Sequence, residues 1–485
     1  MKQRRFTKRF ILLRVPAALL GFIPLIMIPP LVMAVVRGER TMIRAFAFPM
    51  VSILALALGC FCSLRKKKLN LSAKDGFMLV FVTWALASLI GALPFWRAGL
   101  SFTDALFESA STFATTGGTT VSDLEALPRS LHLWRSLAHW FGGIGIVLIA
   151  VAFMPLLGVG GFQLIKAEVS GPEKEKITPK IAVTAKLLCT AYGILTLVLF
   201  GLYLAGGMGW FDALCHSLAT MASGGVSTRN TGLAAFNSPF IDTVSTVFML
   251  LAGINFNLYY RLLQGKISDI RNNTETKAYL GIFIIASGII TLSLVPVYGS
   301  LAEALRFGAY QAASFLSTTG AAITDYETWP GIAQMVLFSL IFIGGCSGST
   351  SGGIKVIRYV VLCKQMGNEL RRVIYPKGVF SVHLNKRVGR KDVIYGVAGF
   401  FFLYFALIAA VTLITAAAGT DLFSSLSAAL SITGNLGMGF GVIGPSGNYG
   451  GFPSHIKWLF SFVMIVGRLE LWTVCVLFSP AYWRK

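Results

Sequence analysis

Residues 111–123 read STFATTGGTTVSD, a polar, glycine-paired run set between two long apolar stretches. A lipid-facing helix cannot continue through it, because hydrocarbon offers no partner to backbone groups freed from a helix. The run also recurs. FTDALFESASTFATTGGTT begins at Phe102, WFDALCHSLATMASGGVST at Trp210, FGAYQAASFLSTTGAAITD at Phe307 and DLFSSLSAALSITGNLGMGFG at Asp421. Each copy is a short amphipathic segment of about 12 residues followed by small polar residues and glycine, too short to span a bilayer and so read as re-entrant. The glycines Gly117, Gly225, Gly320 and Gly437 lie 108, 95 and 117 residues apart. One such run alone is an ordinary Ser/Thr/Gly connector; four between full-length spans predict four equivalent units with their loops at a common centre.

The rest of the chain fits a membrane protein. Its 485 residues are 55% hydrophobic and 13% charged, with a mean hydropathy of +0.72, beyond what a soluble domain needs. Ten apolar runs are long enough to span, at about 10–36, 43–64, 77–97, 133–162, 183–205, 238–262, 278–298, 331–362, 393–418 and 455–479. The basic start imitates a secretory signal, but its apolar region is too long and lacks a small-residue cleavage site, so it reads as a retained span.

The formal charge of +22 is distributed by side. Placing the N-terminus, 65–74, 166–186, 261–277, 355–391 and the C-terminus together collects 32 of the 42 basic residues, which predicts both termini in the cytoplasm. The loop RGERTMIR, with Arg37, Arg40 and Arg44, runs against this pattern. The seven cysteines lie mostly inside apolar runs with no CxxC pair, and neither a disulfide framework nor a metal site is indicated.

A cation leaving water needs oxygens to replace its hydration shell, and rings of backbone carbonyls supply them. Turning carbonyls inward requires positive φ, which glycine tolerates. Thr115, Thr116, Ser223, Thr318 and Thr319 precede the loop glycines and add hydroxyls. The half-helices aim partly negative C-terminal ends at the ion, with Asp104 and Asp212 read as their N-terminal caps. The loops carry neither an acidic nor a basic ring, which favours a monovalent cation. The eighth run is interrupted by GGCSGSTSGG, residues 344–353, which cannot sustain a stiff helix; it reads as an irregular intramembrane loop or as a tight small-residue helix crossing. Arg468, about midway along the last run, is costly in lipid and is predicted to lie across the pore from that loop as a barrier to cations, with Glu470 a poor partner for it and Lys355 snorkelling.

Rival classes find little support. GFGVIG, from Gly439, has no strand before it to make a nucleotide fold, and no Walker lysine motif or histidine–nucleophile pairing occurs. A secondary transporter with broken helices for another small solute is the alternative, although such folds pair two inverted halves.

Four repeats after an extra hairpin, degenerate glycine loops and the ending GRLELWTVCVLFSPAYW together resemble the TrkH/TrkG-type membrane subunit of the Trk/Ktr/HKT potassium transporter superfamily, over essentially the whole chain. The resemblance implies an all-α polytopic membrane protein: a hairpin (1–74) and four M1-P-M2, potassium-channel-like repeats (75–180, 181–274, 275–390, 391–485) around a pseudo-fourfold pore, with about ten transmembrane helices and four re-entrant half-helices. It implies potassium uptake across a bacterial inner membrane, with potassium as substrate, no cofactor bound by this chain, and no enzymatic activity. It further implies a homodimer gated by a cytoplasmic TrkA-like nucleotide-binding ring; the basic segment 364–392 reads either as the docking site for that ring or as solvated charge facing anionic lipid. Carried over residue by residue, the filter is Thr115, Thr116, Gly117; Ser223, Gly224, Gly225; and Thr318, Thr319, Gly320. In the fourth loop the 13-residue spacing from Asp421 selects Gly434, whereas the family-like pattern selects Asn435, Leu436 and Gly437, which is preferred. The implied gate is Gly344, Gly345, Cys346, Ser347, Gly348, Ser349, Gly352, Gly353 and Arg468. Gly118, after the first filter glycine, departs from the expected pattern and points to altered selectivity.

Overall fold

The computed structural model describes residues 16, 20–64, 73–145, 181–385, 387–388 and 391–484. Most of the N-terminal basic stretch, 65–72 and 166–180 lie outside the described residues, as does the second half of the run at 133–162. Each of the ten apolar runs contains a helix. Among the described residues, six continuous helices are long and apolar enough to cross a membrane: one ending at Arg37, then Arg40–Leu64, Ala73–Arg97, Ile181–Ala205, Thr274–Tyr298 and Lys391–Ala417. Their outward faces are apolar, with Ile284, Leu292, Phe402 and Leu413 exposed, as expected where lipid replaces water.

The last four of these helices open four units of the same construction, and each is followed by a pore helix and an inner helix. The pore helices are Phe102–Phe113, Trp210–Met221, Leu301–Leu316 and Leu422–Gly434, and the inner helices begin at Arg129, Pro239, Gly331 and Ser454. Within a unit, the pore helix packs against its own outer helix. Between units, each inner helix packs against the pore helix of the next, and the fourth inner helix packs against the first pore helix. The units therefore close into a ring. The N-terminal pair leans on this ring: Glu39, in its turn, accepts a hydrogen bond from the Arg129 amide at 3.1 Å, satisfying one orphan donor at the first inner helix, and another from the Ser130 hydroxyl.

Local chemistry starts the pore helices, though not as expected. Asp104 and Asp212 are not caps: Ser101 caps the first helix, accepting from the Asp104 amide, and Gly209 precedes the second. Asp104 stands three residues inside, where its carboxylate accepts a hydrogen bond from the Ser101 hydroxyl at 2.6 Å. In the fourth unit Asp421 is the cap. The third pore helix starts at Leu301, six residues before the repeated motif.

The inner helices depart most from uninterrupted spans. The run at 238–262 bends by 95° between Pro239–Ala252 and Phe256–Leu263, and that at 455–479 by 113° between Ser454–Arg468 and Leu471–Phe478. Gly253 and Gly467 sit at these breaks, and added side chains there would strike Tyr279 and the Thr433 carbonyl respectively. Close packing thus requires glycine where it also weakens the helix. In the third unit the helix Gly331–Ile341 ends outright, and Val356–Ile374 resumes after an irregular segment.

Candidate functional site: a ring of four loops above a broken helix

All four pore helices end in one backbone pattern. The amides of Thr115, Ser223, Thr318 and Asn435 reach the carbonyls three residues back, and the next amides reach Ser111, Ala219, Ser314 and Ser431 at 2.8–3.0 Å. This is the Schellman motif, whose turning residue is left-handed and usually glycine. Here that residue has φ of 54°, 55°, 56° and 52°, and two of the four are β-branched threonines, for which such a φ is a true outlier. Strain repeated at four equivalent places marks a geometry imposed by the surroundings.

Two residues on, φ is positive again, at 82° for Gly117, 58° for Gly225, 68° for Gly320 and 80° for Gly437. Such alternation turns successive amide groups to one side of the ribbon and leaves the carbonyls on the other. The loops abut closely. A Cβ on Gly117 would lie 2.0 Å from the Gly224 oxygen, on Gly225 2.0 Å from Thr319, on Gly320 1.9 Å from Leu436, and on Gly437 2.0 Å from Thr116. Loop one thus touches two, two touches three, three touches four, and four touches one, each through the carbonyl just before the neighbour's glycine. All twelve residues of the filter motif are brought together. In the fourth loop Asn435, Leu436 and Gly437 occupy the ring, while Gly434 ends the pore helix.

The ring is held from behind. Glu108 accepts from the Thr119 hydroxyl and the Thr120 amide at 2.6 and 2.7 Å and pairs with buried Arg135, so this carboxylate braces the first loop. The Ser111 and Ser314 hydroxyls donate to the Gly118 and Ala321 carbonyls at 2.6 Å. Asn435 donates to Thr116 Oγ1 at 3.0 Å, tying loop four to loop one. Gly118 has a steric reason: a Cβ there would lie 2.7 Å from the buried Tyr449 ring.

Two cavities flank this layer and share no lining residue. The outer, about 510 Å³, is lined by all four ring glycines with Asn230 and Asp325. The inner, about 180 Å³, is lined by Gly143, Gly348, Thr350, Lys355, Arg468 and Glu470 among others. Between them lies the irregular segment 343–355, with Gly344, Gly348 and Gly353 all at positive φ. It presses on the ring: Thr318 Oγ1 accepts from the Gly352 amide at 2.7 Å, and Ser223 Oγ meets Thr350 Oγ1 at 2.8 Å.

Arg468 does not stand across from this segment but grips it. Its guanidinium donates to the Thr350 carbonyl at 2.7 Å and to the Gly142 and Gly143 carbonyls at 2.7 and 2.9 Å, joining units four, three and one. Glu470 pairs instead with Arg358, at 2.7 Å. Lys355 does not snorkel: it is buried, at 5% exposure, and its ammonium donates to the Ser351 carbonyl. Lys355, Gly142 and Gly143 were missed as site residues, and Thr350 was read only as part of the loop. The signal for the glycines was there, since FGGIG at 141–145 repeats the small-residue break of the other inner helices.

A closed ring of four pore helices and carbonyl-lined loops inside apolar helices defines a polytopic membrane transport protein. The comparisons with known proteins agree. The family described as "TrkH: Cation transport protein" matches residues 44–485. The chain is 36% identical over 483 residues to the Trk system potassium uptake protein TrkH of Halomonas elongata, covering 98% of this chain and 99% of that one. It is 38% identical over 448 residues to its namesake in Escherichia coli K12, covering 90% and 92%. The crystal structure of the potassium transporter TrkH from Vibrio parahaemolyticus superposes with a TM-score of 0.87 at 32% identity, covering 98% and 99%. The chain belongs to the TrkH family of cation transport proteins; it is a transport protein and not an enzyme.

Proposed function

We propose that this chain conducts potassium inward across the bacterial inner membrane, through a filter formed by Thr115–Gly117, Ser223–Gly225, Thr318–Gly320 and Asn435–Gly437. The observation that carries the reading is the closed contact of four equivalent loops through equivalent carbonyls, an arrangement suited to a partly dehydrated monovalent cation. The relatives named as potassium uptake proteins support potassium as the substrate. The units bounded at 74, 180, 274 and 390 are the four repeats and their preceding hairpin, with both termini cytoplasmic.

In this reading segment 344–353 and Arg468 form the gate. The segment lies directly under the ring, and the positive charge repels a cation from the inner cavity. A homodimer regulated by a TrkA-like nucleotide-binding ring docked on 364–392 completes the assembly; the basic residues of that segment support it. Liposomes containing the purified protein should take up potassium and rubidium faster than sodium, with no dependence on a pH gradient. Equal rates for all three ions would exclude the filter, and strict coupling to protons would favour a carrier.

A further inference from the structure

We propose that Glu275 is a positioning residue that clamps the intramembrane segment shut and is itself held by a cytoplasmic hairpin, so that moving the hairpin releases the gate. This rests on the reading of residues 344–353 as the gate. Glu275 stands in the first turn of Thr274–Tyr298 and is buried. One of its carboxylate oxygens accepts from the Ser347 amide at 2.6 Å and the Ile357 amide at 3.3 Å. Those amides flank the part of the segment that touches the ring through Thr350 and Gly352: Ser347 lies in the segment ahead of it, and Ile357 is the second residue of the helix that follows. A single carboxylate therefore closes the segment between them like a noose. Hydrogen bonds to an ionised acceptor are about twice as strong as neutral ones, and withdrawing the loop toward the inner cavity requires breaking both.

The clamp has a handle outside the membrane. Just ahead of Glu275, the Thr274 amide donates to Asn385 Oδ1 at 2.9 Å. Asn385 is at the turn of a two-stranded hairpin in which His383 pairs with Val388. Val382 and Leu384 pack with Ile357, Val361 and Val397, and the Lys364 ammonium donates to the His383 carbonyl at 2.7 Å. Displacing the hairpin thus pulls at once on the helix leaving the gate and on the turn that carries Glu275. Both attachments lie within reach of a partner bound to the basic segment.

Cys346, buried inside the segment, is a natural reporter. In the full chain, with the other six cysteines replaced and the protein in liposomes, its modification by a membrane-permeant maleimide and the rubidium efflux are both measured. Glu275→Ala should speed Cys346 modification by at least about tenfold and raise efflux; Glu275→Gln, which keeps a neutral acceptor, should do less, and Asn385→Ala about threefold. A Cys346 rate within twofold of the parent in a monodisperse Glu275→Ala protein would overturn the clamp. Should that variant fail to fold, an unchanged rate in Asn385→Ala would overturn it equally. Faster modification without rubidium flux in any protein, parent included, would sustain the clamp and sink the pore reading instead.

Discussion

The ring of loops and the layer beneath it are built on opposite rules. In the ring, four sequences that share few letters adopt one backbone: left-handed turning residues within 4° of each other, from 52° to 56°, and glycines meeting a neighbour's carbonyl at 1.9–2.0 Å from a would-be Cβ. Some 25 residues later the equivalence is gone. The second and fourth inner helices bend, the third stops between Ile341 and Val356, and the fourth ends on an arginine that grips the interrupted segment of the third. Coordination of a spherical ion is the same problem from every side, so symmetry serves it. A gate needs one element that moves while its neighbours stay, and symmetry would deny it that.

The comparison breaks most visibly at the ring glycines. Any Cβ there falls more than an ångström inside contact distance of a backbone oxygen, and the positive φ adds strain. Gly117→Ala, Gly225→Ala, Gly320→Ala and Gly437→Ala should each lower potassium uptake by about 100-fold, the scale on which an ångström of misplacement acts in a positioned site. The four losses should match within a few-fold in cells lacking other uptake systems. A ring position that tolerated alanine would show that its loop does not take an equal share of the ion.

Beneath the ring, effects should be smaller and of opposite sign. Arg468→Ala removes a half-buried charge from the lining of the inner cavity and three hydrogen bonds that tie the loop to unit one. Flux without any regulator should rise roughly tenfold, the order expected for one charge about 12 Å from the ion at an effective dielectric of about 20. Arg468→Lys keeps the charge but cannot span three carbonyls with a planar fork, so it should fall between. Unchanged flux in both variants would remove Arg468 from the gate.

How much of this could be read beforehand follows the same division. The ring was legible because its demands are local: glycine must supply positive φ, and a short helix must precede it, so Gly117, Gly225 and Gly320 declare themselves by spacing. The fourth loop was ambiguous because Thr433-Gly434 imitates the motif one turn early, and only contact with Thr116 selects Gly437. The floor was less legible. Arg468 stands out as a charge in an apolar run, yet its partners are carbonyls, and any residue has one. Lys355 looked like a snorkelling lysine because sequence distance to an interface does not disclose that its helix has stopped. Glu275 lies 72 residues from the Ser347 amide it holds, and nothing in either neighbourhood foretells the meeting.

Gly118 marks the smallest expected break, and it turns on packing. The residues at the same place in the other three loops, Val226, Ala321 and Met438, have side chains, so the backbone itself does not demand glycine. What excludes a side chain in loop one is Tyr449, whose amide donates to the Thr119 carbonyl at 2.8 Å and whose ring stacks between Phe107 and Phe452 at 5.1 and 5.8 Å. Gly118→Ala should therefore cost stability by overpacking, about 1–3 kcal/mol, seen as a melting temperature several degrees lower in detergent. Adding Tyr449→Leu should recover part of the loss, because it removes the ring edge that the methyl strikes. If the ion preference shifted and the melting temperature did not, the glycine would belong to the chemistry of the ring; if only stability moved, loop one is as symmetric as the rest, and its second glycine answers to its neighbour.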